Sequence, residues 1–139
     1  MTGESNLETL NRAIEAWNGG DLDAYLDLYD DGITLHGYSP QPMDKASVRG
    51  FYSMLFGAFP NSQLTVDEAI VDGDRMALRF TQRGVHAGDF MGIPPTGASF
   101  SMAGHTVLHF RDGRVVERWS TADMLSLLVQ LGAMPAPPG

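Results

Sequence analysis

The sequence predicts one α+β domain, and two observations carry the prediction. Apolar side chains recur at helical spacing through much of residues 7–59, whereas residues 63–120 alternate apolar and polar in two hairpin-like pairs. A last helical run then closes the chain. Helices first and mostly antiparallel strands after them make an α+β arrangement rather than an alternating α/β one. At 139 residues the chain is long enough for one core and short for two. The expected domain spans residues 1–134, with 135–139 as a disordered proline-rich tail.

Ser5-Asn6-Leu7-Glu8 has the spacing of a capping box, and Leu7, Leu10, Ile14 and Trp17 follow at helical intervals until Gly19-Gly20. Asp21 can cap a second helix with Leu22, Tyr25, Leu26 and Tyr29 on its buried side, ending at Asp30-Asp31-Gly32. Residues 33–38 read as a strand with Ile33 and Leu35 on one face and Thr34, His36 and Tyr38 on the other. A third helix begins between Asp44 and Ser47 and carries Val48, Phe51, Tyr52, Leu55, Phe56 and Phe59 to a stop at Pro60-Asn61. Strands 63–71 and 75–83 meet about Asp72-Gly73-Asp74, with Leu64, Val66 and Ile70 alternating on the first. Strands 99–110 and 114–120 flank Arg111-Asp112-Gly113, and the final helix runs over residues 121–131 with Gly132 after it.

Composition narrows the function. There is no cysteine, so a disulfide framework, thiolate catalysis and a zinc ribbon are all excluded. No stretch approaches the ~20 apolar residues of a membrane span, and the N-terminus has neither a basic start nor an apolar run. A soluble, cytoplasmic protein is expected. A net charge of −8 repels phosphate backbones and anionic lipid, so neither nucleic acid nor a membrane is an expected partner.

Residues 85–97 interrupt two strands with glycines, Pro94-Pro95 and the apolar Phe90, Met91 and Ile93. The prolines fix φ and remove two donors, so this segment can close the mouth of a cavity or form a wide hairpin on the core. His86-Ala87-Gly88-Asp89-Phe90-Met91-Gly92-Ile93-Pro94-Pro95-Thr96-Gly97 resembles the H-x-G-x-F-x-G-I-P-P-T-G signature of the SnoaL-like polyketide cyclases, a branch of the nuclear-transport-factor-2-like cones. The similarity extends from Trp17-Asn18-Gly19-Gly20-Asp21-Leu22 to Gln130-Leu131-Gly132. It implies a curved, mixed, mostly antiparallel sheet wrapped around the helices, an apolar pocket between them, a hydrophobic small-molecule substrate and a homodimer paired through the outer sheet face.

Period-two alternation puts His105, Val107 and His109 on one strand face and Thr106, Leu108 and Phe110 on the other. The two histidines are then about 13 Å apart at roughly 3.3 Å per residue, too far to share a metal, and are read as outer-face side chains. His36 can act as acid, base or donor near neutral pH, or be a satisfied buried histidine. Asp123 can be a general base at a cavity edge or a simple helix cap. Arg118 shares a face with Val116 and Ser120; if that face is inward, it needs a carboxylate or an anionic ligand. Trp17 and Trp119 offer flat apolar area, and His86 can brace its loop or touch substrate.

The resembled cyclases close rings by an intramolecular aldol reaction with an acid/base aspartate and a helping histidine, using neither metal nor organic cofactor. By position their histidine falls on Thr106, their aspartate on Ser120, a pocket asparagine on His36 and a pocket tyrosine on Trp17. Neither hydroxyl replaces an acid or base unaided. The reading drawn is a cofactor-independent enzyme for a polyketide-like or polycyclic molecule, cyclising or isomerising it. His36 and Asp123 are its expected acid/base pair and Arg118 polarises an oxygen. Trp17, Phe51, Leu55, His86, Phe90, Met91, Thr106 and Ser120 are expected around the substrate. Two alternatives stay open: a hydratase, epoxide hydrolase or cofactor-free oxygenase with water against Asp123 and Arg118, and a non-catalytic binding module.

Overall fold

The computed structural model describes residues 3–136, so Met1, Thr2 and the last three positions of the expected tail lie outside the described residues. The helix α1 (Gly3–Asn18) buries Asn6, Leu10, Ala13 and Trp17 along one stripe. It already includes Ser5, so the expected capping box is not its start; instead the Ser5 carbonyl accepts from the Thr9 hydroxyl at 3.0 Å. Asp21 caps α2 (Leu22–Leu26) as expected, accepting from the Ala24 N–H. That helix is only five residues long. Tyr29, expected on its buried side, opens the strand β1 (Tyr29–His36), because Leu28 and Tyr29 are drawn into pairing with Val115.

Asp44 caps α3 (Lys45–Ala58), after which come β2 (Gln63–Asp72), β3 (Arg75–Val85), β4 (Ser99–Arg111), β5 (Arg114–Ala122) and α4 (Met124–Gln130). Strand order is β1-β5-β4-β3-β2, with β1 parallel to β5 and every other pair antiparallel. The helices cover the inner face of this open sheet, over Leu10, Trp17, Leu35, Val48, Met76 and Leu108. Phe59, Phe90, Phe100, Met102, Leu127 and Leu131 form a second apolar cluster under α4.

Three local devices decide which side chains look inward. A register shift between Val66 and Glu68 reverses the alternation of β2, so Ile70, expected beside Leu64 and Val66, is 64% exposed. A second shift, between His109 and Phe110, leaves Val116 as the extra residue of β5 and keeps Arg118 opposite the buried Leu108. The third is Gly37, at φ +98. Simple alternation puts Tyr38 with His36, but this left-handed residue turns the chain so that Tyr38 enters the interior while His36 stays outside.

Candidate active site

Between the helices and the inner sheet face lies a cavity of about 160 Å³. Its wall is largely aromatic and thioether: Trp17 from α1, Phe51 and Leu55 from α3, Phe90 and Met91 from the loop after β3, and Met124 from α4. Met91 is 68% exposed and Met124 36%, which places both at the mouth. Phe90 is buried and hydrogen-bonds Ile93 in both directions, so the proline-bearing loop forms a stiff rim rather than slack chain. No carboxylate and no imidazole is among the lining residues.

The polar end of the cavity is Arg118. Its Nε donates to Ser120 Oγ at 2.8 Å and its Nη2 to Thr106 Oγ1 at 3.3 Å. Nη1 donates to the Tyr25 hydroxyl at 2.9 Å and the Tyr29 hydroxyl at 2.6 Å. Tyr29 is hydrogen-bonded to Tyr52 at 2.6 Å, Tyr52 to Tyr38 at 2.7 Å, and the Tyr38 ring lies 5.8 Å from the guanidinium carbon. All four tyrosines of the chain thus gather around one arginine.

Burial opposes the charge on Arg118, but the surrounding tyrosine oxygens outweigh it and hold its pKa well above the ordinary value. The guanidinium therefore stays charged. Burial also pushes the Tyr29 and Tyr52 phenols well above their ordinary range, Arg118 pulling back only in part, so both are neutral near pH 7. Arg118 is in none of the ion pairs found among the described residues. A charged group held by neutral hydroxyls at the end of an apolar cavity is an incomplete electrostatic site.

A sequence profile described as SnoaL-like polyketide cyclase matches residues 8–131, nearly the whole chain. The chain belongs to that family. Among solved structures it is similar to AclR of Streptomyces galilaeus, a candidate hydroxylase, at 33% identity and a TM-score of 0.88, over 96% of this chain and 84% of that one. It is also similar to IdmH of Streptomyces antibioticus, a candidate polyketide cyclase, at 33% identity and a TM-score of 0.81, over 91% and 98% of the two chains. A candidate SnoaL-like cyclase from Jannaschia sp. CCS1 matches at 26% identity and a TM-score of 0.83, over 95% and 94%. No sequence of a curated protein matches the chain.

In this SnoaL-like chain the expected acid/base pair is not brought together. His36 lies on the outer sheet face, where its Nε2 meets Glu117 Oε2 at 2.7 Å and its ring stacks on Trp119 at 5.2 Å. Asp123 is exposed and accepts from the Ser126 N–H at 3.0 Å, as the cap of α4. Neither lines the cavity. Trp119, which offers flat apolar area, is 37% exposed on the outer face. His86 is fully buried but braces the loop: the Thr96 N–H donates to its Nδ1 at 3.3 Å, and the Thr96 hydroxyl lies 3.0 Å from the same nitrogen. It does not reach the cavity wall.

Trp17, Phe51, Leu55, Phe90, Met91, Arg118 and Ser120 do line the cavity, and Thr106 stands behind Ser120 at 2.9 Å. Sequence reasoning missed the tyrosines. Tyr25 and Tyr52 read as ordinary apolar positions of helices, Tyr29 as helix, and Tyr38 as a companion of His36. The available signal was the scarcity of the residue: four tyrosines, all between positions 25 and 52. Among the described residues no group of three or more His, Asp or Glu is placed to hold a metal ion.

Proposed function

We propose that this SnoaL-like protein is an enzyme that cyclises or isomerises a hydrophobic, polyketide-like molecule through an enolate, with Arg118 and the tyrosine hydroxyls as its electrophilic centre. The observation that carries the reading is the unpaired charge of Arg118 at the end of an apolar cavity. Preorganised donors aimed at developing negative charge are the largest single contribution in many enzymes. The cavity offers no carboxylate or imidazole as a base, so the substrate must carry its own acidic position, as the carbon between two carbonyls does. The α-proton leaves to water at the cavity mouth, and the enolate carbon then attacks a second carbonyl. The new C–C bond forms as the carbonyl electrons move onto oxygen, which takes a proton from a phenol, while the enolate oxygen reverts to a ketone. Water returns a proton to the phenol.

The test is α-hydrogen exchange of a ring-bearing 1,3-dicarbonyl compound in D2O, followed by NMR. The wild type should exceed buffer, whereas His36→Gln and Asp123→Asn should match the wild type, since asparagine caps a helix as well as aspartate. If either substitution abolishes exchange, the original acid/base pair is right and this reading wrong. A wild type no faster than buffer favours a binding module, which the base-free wall also supports. A hydrolase or oxygenase that activates water through Asp123 has less support, because that carboxylate is spent on α4.

Homodimerisation through the outer sheet face belongs to the same proposal. Ile70, Val107 and Trp119 expose apolar area there, beside a shallow groove that also includes Glu68, Arg79 and His105. Val107→Asp should lower the mass found by sedimentation from that of two chains to one; an unchanged mass would place the contact elsewhere.

A further inference from the structure

The donors left over around Arg118 point to the class of ligand, an inference that rests on the electrophilic role just assigned to this cluster. A guanidinium has five N–H groups. One is spent on Ser120, two on Tyr25 and Tyr29, and one on Thr106, which leaves a single Nη2 N–H without a partner among the described residues. The phenols can be counted in the same way. Three hydrogen bonds join Tyr25, Tyr29, Tyr52 and Tyr38, at 3.3, 2.6 and 2.7 Å. Each consumes one of four O–H protons, so one phenol proton is left over. It does not belong to Tyr29, which is fully buried and outside the cavity wall, where an unmade hydrogen bond is costly. Tyr25, Tyr38 and Tyr52 all line the cavity, so the surplus proton belongs to one of them. Thr106 and Ser120 share one bond between two hydroxyls and leave one further O–H.

The cluster therefore offers one positive charge and three unspent donors. A carboxylate is gripped by two parallel N–H groups of one guanidinium, and here the fork is already taken. A neutral ketone would leave the charge uncompensated. A single anionic oxygen has three lone pairs and one charge, which matches on both counts. Volume sets the size of what carries it: a dry cavity of about 150 Å³ takes one benzene ring, so the 160 Å³ here encloses one ring and leaves the rest of a ligand over Met91 and Met124. We propose that the cavity binds a ring-sized enolate or phenolate as its oxyanion, in preference to the carboxylate or the neutral form of the same ring.

The probe is 4-nitrophenol, whose phenolate is coloured, with 4-nitrobenzoate and nitrobenzene as the carboxylate and neutral controls. Titrated with the full-length protein, the bound phenol should ionise about one pH unit or more below the free one, which means the phenolate binds at least about tenfold more tightly than the phenol. 4-Nitrobenzoate should bind more weakly than the phenolate. Arg118→Met should lose the shift and still bind nitrobenzene. Should that variant fail to fold, Arg118→Gln, which removes the charge and keeps an amide donor, should also lose the shift. The proposal is overturned if the bound phenol titrates like the free one, if no probe binds, or if 4-nitrobenzoate binds as tightly as the phenolate. A shifted probe with no exchange activity leaves this inference standing and removes the catalytic one; exchange with an unshifted probe does the reverse.

Discussion

Arg118→Met should lower the exchange or cyclisation rate by about 10²- to 10³-fold, the usual effect of deleting a principal oxyanion donor, and should leave the melting temperature at or above that of the wild type. The two halves belong together. Arg118 is charged in a largely apolar place and has no carboxylate to meet it, so its energetic rationale is a ligand rather than the fold. Methionine is unbranched and flexible enough to fill much of the same path. The four hydroxyls it abandons, on Tyr25, Tyr29, Thr106 and Ser120, each donate as well as accept and already have one another within reach. Calorimetry beside the exchange assay decides the matter. A variant that loses several degrees of stability with its activity would make Arg118 a structural pin of the tyrosine cluster and remove the basis for assigning it a role in chemistry.

Gly37→Ala should cost about 3 kcal/mol or more of folding stability, in the range that only a named structural clash produces. Gly37 has φ +98, which an L side chain tolerates poorly, and an added Cβ would run into the Ser120 carbonyl oxygen. The backbone has little room to yield, because His36 and Trp119 are paired in the parallel register immediately beside it. Relief would push β5 away, and Ser120 holds the Nε of Arg118. Activity should therefore fall with stability. Gly92→Ala is the control: its φ is +87, yet nothing lies within 4 Å of an added Cβ, so it should show only conformational strain of about 1 kcal/mol. Urea midpoints of the two variants settle the comparison, and equal losses would mean that the approach of Ser120 to Gly37 is not tight.

The sequence by itself determined the elements and the family. Asp21 is the expected cap, the two Asp-Gly turns close the hairpins, and Thr106, Leu108 and Phe110 face inward opposite His105 and Val107. These are local: a cap, a turn or an alternation is decided within a few residues of chain. The loop signature at residues 86–97 likewise marked the cavity rim, where Phe90 and Met91 are found. Only the tertiary structure decided the site. His36 and Tyr38 are two residues apart, yet the left-handed Gly37 between them sends one to Glu117 outside and the other to Tyr52 inside. Bulges in β2 and β5 shift alternation by one residue, and one residue is the whole difference between core and solvent in a strand. The Arg118 cluster joins α2, β1, α3, β4 and β5 across as many as 93 positions of sequence. No local pattern encodes such a meeting, because what makes it an unpaired charge with unspent donors is that the carboxylates of the converging elements, Asp23, Asp30, Asp31 and Glu117, are engaged elsewhere, with Arg49, the Gly32 N–H, Lys45 and His36.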